Sequence, residues 1–181
     1  MTAKTFPRFF FPDEKARSVM DVNYEGLRDS GIKAVIFDLD NTIARWGDRR
    51  LEEEIMELFE RITSMGLRVA VLSNSRREDI ENFIEELPFP HLFNANKPGK
   101  WGFRSILEDL GVTGSEAAMV GDQLLTDVLG ANRVNMYTIH VEPIDPEREY
   151  NFTKINRLGE KFLLWLREVY RFFRSWSVTQ G

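Results

Sequence analysis

Short apolar runs alternate with helical patterns through the middle of the chain. The runs predict strands at 33–37, 67–72, 91–95, 117–120 and 136–141. Between them, apolar residues recur at three- and four-residue spacing, which predicts amphipathic helices at 51–65, 77–87, 101–110 and 124–132. Gly66, Pro88 and Gly111 mark the ends of the first three helices.

This alternation predicts an α/β fold. Strands joined through helices by connections of a few residues imply right-handed crossovers and a parallel sheet with helices on both faces. We therefore expect a three-layer α/β/α architecture with a five-stranded parallel sheet over a core of residues 33–142. An aromatic N-terminal segment (6–30) and a C-terminal amphipathic helix (152–176) complete one predicted domain over residues 1–181.

Polar residues follow four of the predicted strands, where each strand ends. In sheets of this kind, ligands bind at the carboxyl ends of the strands. The four groups are Asp38-Leu39-Asp40-Asn41-Thr42, Ser73-Asn74, Asn96-Lys97-Pro98 and Gly121-Asp122 with Asp127. Alone, each has an ordinary explanation as a turn, a helix cap or a solvated surface charge. Their joint occurrence at successive strand ends predicts a site.

The chemistry of this set favours magnesium and a phosphoryl group. Crowded carboxylates repel one another unless a cation compensates them, and Mg²⁺ prefers oxygen ligands shared with substrate phosphate. The chain has no cysteine, and neither His91 nor His140 falls in a ligand cluster, so zinc is disfavoured. A lysine and a hydroxyl beside oxygen-bound Mg²⁺ are the parts that phosphoryl transfer needs.

These motifs resemble those of the haloacid dehalogenase phosphatase superfamily, whose fold is Rossmann-like. The resemblance covers about residues 33–142. Within it, the stretches 37–43, 97–98 and 121–130 are similar to the YqeG subgroup, of subclass IIIA, which is itself similar to mitochondrial and plastid phosphatidylglycerophosphate phosphatases. The resemblance implies an Mg²⁺-dependent phosphatase, and Asp40 as the second acid argues against the dehalogenase variant.

The same resemblance implies a role for each catalytic residue. Asp38 would attack phosphorus and form an aspartyl-phosphate, and Asp40 would protonate the leaving oxygen and then activate water. Ser73 and Lys97 would hold the transferring oxygens. Lys100, three residues further on, is a second choice for the cation.

The resemblance also implies a phosphate-binding set and a metal-binding set. The metal would take Asp38, Asp122 and the backbone carbonyl of Asp40. Asp127 would be either a water-mediated ligand or a residue that orients Lys97. The expected phosphate-binding residues are Asn41, Thr42, Ser73, Asn74 and Lys97.

The spacing between the motifs leaves no room for a cap domain. One helix and one strand account for residues 40–73, and the same is expected of residues 73–97. An open site suits a phosphate on something bulky, such as a lipid head group at a membrane, a nucleic acid end or a protein. The resemblance to phosphatidylglycerophosphate phosphatases implies, as our preferred reaction, dephosphorylation of phosphatidylglycerophosphate to phosphatidylglycerol at a membrane surface. One alternative is a soluble phosphatase acting on a nucleotide, a sugar phosphate or a macromolecule. Another is a non-catalytic module that senses phosphate or Mg²⁺.

Charge and aromatic residues are unevenly distributed. The net charge is −5, but segment 154–174 carries +4, which leaves −9 for the remainder. Segments 6–11 and 150–176 together hold 12 of the 22 aromatic residues. The basic, aromatic C-terminal helix therefore predicts peripheral contact with anionic phospholipid, the alternatives being docking on the core or on a second subunit of a homo-oligomer.

The remaining expectations concern partners, location and exposed aromatics. The acidic balance argues against nucleic acid as a partner, and the first residues are not typical of a targeting signal. We expect the protein in the cytoplasm, at the inner face of the membrane if it binds lipid. Phe9-Phe10-Phe11 is expected to form a hydrophobic latch over the sheet rather than to anchor in a membrane. Trp101 is expected to be packed at the start of the third helix, the alternative being that it lines the mouth of the site.

Overall fold

The computed structural model describes residues 8–46, 48, 50–76 and 87–147. All of them fall in one compact unit, Met1–Arg148. The predicted helix at 77–87, apart from its last residue, and the predicted C-terminal helix at 152–176 lie outside the described residues. No helix within the described ranges is long and apolar enough to cross a membrane.

Strands and helices alternate along the described chain. The strands are β1 (Glu14–Lys15), β2 (Ala34–Phe37), β3 (Arg68–Leu72), β4 (His91–Leu92), β5 (Ala117–Gly121) and β6 (Tyr137–His140). The α-helices are α1 (Tyr24–Asp29), α2 (Glu53–Ser64), α3 (Lys100–Asp109) and α4 (Leu129–Asn132). Single turns of 3-10 helix occupy Arg8–Phe10, Val19–Asp21 and Gly114–Glu116, and a π-helical turn, Leu124–Val128, runs into α4.

All strands lie in one parallel sheet, in the order β1-β6-β5-β2-β3-β4. The α/β prediction is confirmed, but the expected count of five strands is wrong by one. The sixth is β1, two residues without an apolar run, which sequence periodicity does not detect. Its pairing with β6 and the hydrogen bonds between Asp13 and Thr138 define it.

The alternating sides of the central strands build two separate cores. In β2, Val35 and Phe37 pack with α1 and α2 on one face, while Ala34 and Ile36 pack with α3 and α4 on the other. Successive side chains of a strand point to opposite faces, so a strand that is apolar at every position must be covered on both sides. The three-layer architecture follows from that pattern.

The N-terminal aromatic segment is attached to α4, which packs against one face of the sheet. The side-chain amide of buried Asn132 donates to the carbonyl oxygens of Phe9 (2.7 Å) and Phe11 (3.0 Å). Thr138 Oγ1 in turn donates to Asn132 Oδ1 at 3.2 Å. Phe9 to Phe11 are half-buried. The backbone of the segment is therefore held by a helix, and the expected hydrophobic latch over the sheet stays a prediction.

Candidate active site

Asp38 lies directly after β2, at the carboxyl edge of the sheet, and is buried. Its backbone N–H donates to the Val120 carbonyl at 2.9 Å, which continues the parallel ladder one residue past the strand. Its two side-chain oxygens have different partners. Oδ1 lies 2.5 Å from Lys97 Nζ, and Oδ2 accepts from the Thr42 hydroxyl at 3.2 Å. The carboxylate is therefore held in one orientation within a nearly dry site.

Lys97 is a buried cation whose position is set from both ends. Its backbone N–H donates to Asn74 Oδ1 at 2.7 Å, and its carbonyl accepts from Asn74 Nδ2 at 3.0 Å. Its ammonium contacts Asp38 Oδ1, Asp127 Oδ1 at 2.7 Å and the Leu72 carbonyl at 2.8 Å. An ammonium has three protons, so each one has an acceptor.

Asp127 reaches this site because Gly121, the last residue of β5, has no side chain. A β-carbon on Gly121 would lie 2.4 Å from Asp127 Oδ2 and 2.7 Å from Asp127 Cβ. Asp127 Oδ2 accepts from the Gln123 backbone N–H at 3.1 Å, and Thr126 Oγ1 donates to Oδ1 at 3.3 Å. The glycine of the Gly-Asp motif thus makes space for the second acid of the same motif.

Three buried acids form a candidate metal site. One carboxylate oxygen each from Asp38, Asp122 and Asp127 lies within 4.8 Å of the other two. Their three formal negative charges, set against the single positive charge of Lys97, leave a formal charge of −2, which one divalent cation neutralises. An all-oxygen donor set of this charge suits Mg²⁺. The side chain of Asp40 does not belong to this group, and a contribution from its backbone carbonyl stays a prediction.

The protonation of the site follows from its burial. Burial raises the pKa of Asp38 well above its ordinary value, the Lys97 ammonium opposes that rise, and the neighbouring carboxylates add to it. Burial lowers the pKa of Lys97, but the carboxylates of Asp127 and Asp38 outweigh burial, and the pKa ends above its ordinary value. Lys97 is therefore charged. Asp38 requires positive charge nearby to remain a carboxylate at neutral pH.

Asp40 belongs to a separate hydrogen-bonding group. Ser73 Oγ donates to Asp40 Oδ2 at 3.2 Å, and the hydroxyl of Ser75 donates to the same oxygen. The backbone N–H of Ser75 donates to Ser73 Oγ at 3.0 Å. The two acids of the Asp-x-Asp motif thus have different environments, Asp38 with a cation and Asp40 with hydroxyl groups. Different environments are what two carboxylates with different tasks require.

Asn41 turns the chain immediately after the two acids. Its φ of 61° is a left-handed conformation that asparagine tolerates better than most residues. Its N–H donates to the Ala44 carbonyl at 2.7 Å, and its own carbonyl accepts from the N–H of Ile144 at 2.9 Å. Asn41 Oδ1 also accepts from the Asp145 N–H at 3.3 Å. The turn links the acidic loop to the segment that follows β6.

The structure brings the predicted catalytic residues together, but it changes the expected contacts of two phosphate-binding residues. Asn74 uses both polar side-chain atoms on the Lys97 backbone, so its side chain positions the lysine. The Thr42 hydroxyl lies between Asp38 Oδ2 and Asp122 Oδ1, at 3.2 and 3.4 Å.

Lys100, the second choice for the cation, is an exposed residue at the start of α3. The expectation that Trp101 is packed is wrong, because it is 63% exposed.

Sequence reasoning missed Ser75 and the backbone carbonyl of Leu72. Ser75 had a detectable signal, a second hydroxyl two residues after Ser73, since positions i and i+2 of an extended chain share a side. The Leu72 carbonyl had none. Any residue carries a carbonyl group, and only the path of the chain brings this one to Lys97.

The fold and the site together define a class of protein. A family model described as haloacid dehalogenase-like hydrolase matches residues 44–135, and a second, described as mitochondrial PGP phosphatase, matches residues 3–83. The chain belongs to the haloacid dehalogenase-like hydrolase family, and it is a phosphatase. The resemblance read from the motifs is confirmed.

Two individual phosphatases are similar to this chain over most of its length. The probable phosphatase YqeG of Bacillus subtilis (strain 168) is 32% identical over 157 residues, which are 87% of this chain and 91% of that protein. The chloroplastic phosphatidylglycerophosphate phosphatase 1 of Chlamydomonas reinhardtii is 29% identical over 150 residues, covering 76% of this chain and 55% of the algal protein. The chain thus spans about half the length of that relative.

A solved structure supports the fold alone. An uncharacterized protein from Listeria monocytogenes serotype 4b superposes with a TM-score of 0.50 at 23% identity, over 66% of this chain and 85% of that one. The shared part extends beyond any single βαβ unit. It therefore agrees with the parallel sheet and the two layers of helices described above.

Proposed function

We propose that this phosphatase is an Mg²⁺-dependent phosphomonoesterase that works through an aspartyl-phosphate on Asp38. The observation that carries the proposal is the division of the two acids. Asp38 lies within the cluster that suits a cation, and Asp40 lies outside it on two hydroxyls. A nucleophile needs a nearby charge that keeps it ionised, and an acid–base group must be able to hold a proton.

The residues of this chain fit the two half-reactions. A carboxylate oxygen of Asp38 attacks phosphorus, the bond from phosphorus to the ester oxygen breaks, and Asp40 gives its proton to the departing oxygen. Asp40 then takes a proton from water, whose oxygen attacks the phosphorus of the aspartyl-phosphate and releases inorganic phosphate and the Asp38 carboxylate. Lys97 would hold the transferring oxygens through its charge, and Ser73 would do so when its hydroxyl, which donates to Asp40 in the free protein, turns to the substrate.

The three buried acids fit Mg²⁺, as their charge and donor atoms indicate. Asp38, Asp122 and Asp127 would hold it, and it would supply positive charge that keeps Asp38 ionised and offsets the charge of the phosphoryl oxygens. Asp127 serves a second purpose here, because its Oδ1 also holds the Lys97 ammonium at 2.7 Å. The two roles that the sequence left open for Asp127 are compatible with each other.

For the substrate, we propose phosphatidylglycerophosphate, or a lipid head-group phosphate like it, met at the inner face of the membrane. Two observations support this choice. A phosphatidylglycerophosphate phosphatase of an alga and the family model for the mitochondrial enzyme both match the chain. The described residues between Asp40 and Ser73 form only a loop, α2 and β3, and none of them forms a cap over the site.

The test compares lipid and soluble substrates. Purified protein is assayed with and without Mg²⁺ on 4-nitrophenyl phosphate, on mixed micelles of phosphatidylglycerophosphate and on a panel of nucleotide and sugar phosphates. We expect Mg²⁺-dependent release of phosphate in each assay, with the largest kcat/KM on the micelles. A larger kcat/KM on any soluble ester would overturn the lipid proposal in favour of a soluble phosphatase.

Matched variants test the mechanism. Asp38→Asn should abolish turnover with the fold intact, and Asp40→Asn should still form the phosphoenzyme from activated esters. Asp29→Asn is the control, because Asp29 is an exposed residue that pairs with Arg28 at the end of α1. Hydrolysis by Asp38→Asn at the wild-type rate would refute the assignment of the nucleophile.

A further inference from the structure

Ser75 makes a contact that the proposed mechanism has not yet used. Its hydroxyl donates to Asp40 Oδ2, the same oxygen that accepts from Ser73 Oγ at 3.2 Å. Among the described residues, both side-chain donations to the Asp40 carboxylate go to this one oxygen. The other oxygen, Oδ1, therefore remains for exchanging a proton with a substrate.

The backbone of Ser75 is held at both of its polar groups. Its N–H donates to Ser73 Oγ at 3.0 Å, and its carbonyl accepts from the Asn94 N–H at 3.1 Å. Asn94 itself lies just after β4, so the loop after β3 is attached to the neighbouring strand connection. A hydroxyl on so restrained a backbone is positioned before any substrate arrives.

The same contacts set the direction of the Ser73 hydroxyl. Because Ser73 Oγ already accepts from the Ser75 N–H, its own proton is free to point at Asp40. Ser75 therefore acts on Asp40 twice, directly through its hydroxyl and indirectly by orienting Ser73. Removal of the Ser75 hydroxyl takes away the direct contact and keeps the backbone one.

We infer that Ser75 is a positioning residue for Asp40, which directs Oδ1 of that carboxyl toward the leaving oxygen of the substrate. This inference rests on the proposed function, since it assigns a supporting residue to the acid–base group. In the first half-reaction, the bond between phosphorus and the ester oxygen breaks as the proton passes from Asp40 to that oxygen. A misdirected Asp40 slows this proton transfer, and it also slows the activation of water in the second half-reaction, which is the same for every ester.

The consequence is a dependence on the leaving group. A 2,4-dinitrophenolate departs without a proton, whereas an alkoxide needs one. General acid–base catalysis typically contributes about 10²–10⁴-fold, and loss of one positioning contact should remove part of it. For Ser75→Ala we expect kcat/KM, which reports formation of the aspartyl-phosphate, to fall about tenfold on an alkyl phosphate and less than about twofold on 2,4-dinitrophenyl phosphate. The attack of water on the aspartyl-phosphate also contributes to kcat and KM, so the esters are compared by their kcat/KM.

The experiment measures kcat and KM of the full chain in Mg²⁺ on 2,4-dinitrophenyl, 4-nitrophenyl, phenyl and alkyl phosphates. Ser75→Thr, which keeps the hydroxyl, should restore the wild-type pattern. Ser75→Cys, of similar size but a weak donor, should behave like Ser75→Ala and provides a second variant if alanine lowers the melting temperature. Ser64→Ala is the control, since the Ser64 hydroxyl donates only to the Arg61 carbonyl at the end of α2.

Each outcome of this experiment either supports or overturns the role of Ser75. A selective loss on poor leaving groups that threonine restores supports it. An equal loss of kcat/KM on all four esters overturns it, as does a Ser75→Ala enzyme equal to wild type. If Asp38→Asn is inactive while Ser75→Ala equals wild type, the proposed function stands and only the role of Ser75 falls. A wild-type chain that hydrolyses none of the esters overturns both.

Discussion

Gly121→Ala tests how the site holds its lysine. The β-carbon added at Gly121 would lie 2.4 Å from Asp127 Oδ2, 2.6 Å from its Cγ and 2.7 Å from its Cβ. Ordinary contact begins near 3.4 Å, so Asp127 must move by about 1 Å. Because its β-carbon is among the crowded atoms, rotation of the carboxylate alone does not relieve the contact. The backbone at Gly121 has a negative φ and tolerates alanine, so the effect reports on packing.

The size of the effect follows from this displacement. Overpacking of a well-packed core typically costs about 1–3 kcal/mol, and the reduced freedom of the unfolded chain offsets about 0.4–1 kcal/mol of that. We therefore expect a loss of about 1–2 kcal/mol in the free energy of unfolding. A shift of about 1 Å would also lengthen the 2.7 Å contact between Asp127 and Lys97. Misplacement of a catalytic group by about 1 Å lowers the rate of reaction about 10²-fold.

The assay pairs denaturant unfolding with kcat per folded molecule on 4-nitrophenyl phosphate. The control is Gly114→Ala. Gly114 lies just before β5, at the opposite edge of the sheet from the site, and its new β-carbon would clash with the Val134 carbonyl. This variant should lose stability and keep its kcat. Wild-type stability and kcat in Gly121→Ala would refute the packing argument. An equal fall of kcat in both variants would show that general destabilisation causes it.

Three further predictions concern single interactions. Lys97→Met leaves Asp38 and Asp127 without their shared cation and should lower the free energy of unfolding by about 3–5 kcal/mol in metal-free buffer. Added Mg²⁺ should raise the melting temperature of this variant more than that of wild type, and equal rises in melting temperature would contradict the charge balance. Asn132→Ala removes one buried and two partly buried hydrogen bonds and should cost about 2–4 kcal/mol. Amide exchange at β1 should be faster than in wild type, and unchanged exchange there would argue against this attachment of the N-terminal segment. The Lys33 ammonium and the Thr113 donors lower the pKa of Glu116 to about 2 from 4.5, so the stability that this carboxylate contributes is complete above pH 4.5 and is lost as the pH falls toward 2. Glu116→Gln should therefore flatten the dependence of the free energy of unfolding on pH in that window, and an unchanged dependence would refute the shift.

The sequence predicted the strands and helices whose signals are local. The run 34–37 is apolar at every position, and such a run must be buried on both faces, so the three layers could be anticipated. The helix at 51–65 was also recognisable, because the residues that α2 buries (Ile55, Leu58, Phe59 and Ile62) keep strict helical spacing. β1 could not be recognised, since two polar residues form a strand only because β6 offers them an unpaired edge.

The same division applies to the site. Residue types and their order at the strand ends predicted that Asp38, Lys97 and the other acids share one site, because parallel strands bring their carboxyl ends to one edge whatever the details of packing. The tertiary structure decided which group contacts which. It assigned Asn74 to the backbone of Lys97, Thr42 to two carboxylates and Ser75 to Asp40, since these contacts depend on loop paths that no local pattern encodes.

The chain by itself therefore determined the class of protein, its sheet and the members of its acidic site. Only the folded structure determined how the two acids of one motif are divided, Asp38 beside a buried cation and Asp40 on a pair of hydroxyls. The physical reason is the range of the interactions. Periodicity and strand ends express contacts between near neighbours and the general geometry of parallel sheets. The partners that distinguish the two carboxylates are distant along the chain, since Ser73 is 33 residues from Asp40 and Lys97 is 59 residues from Asp38.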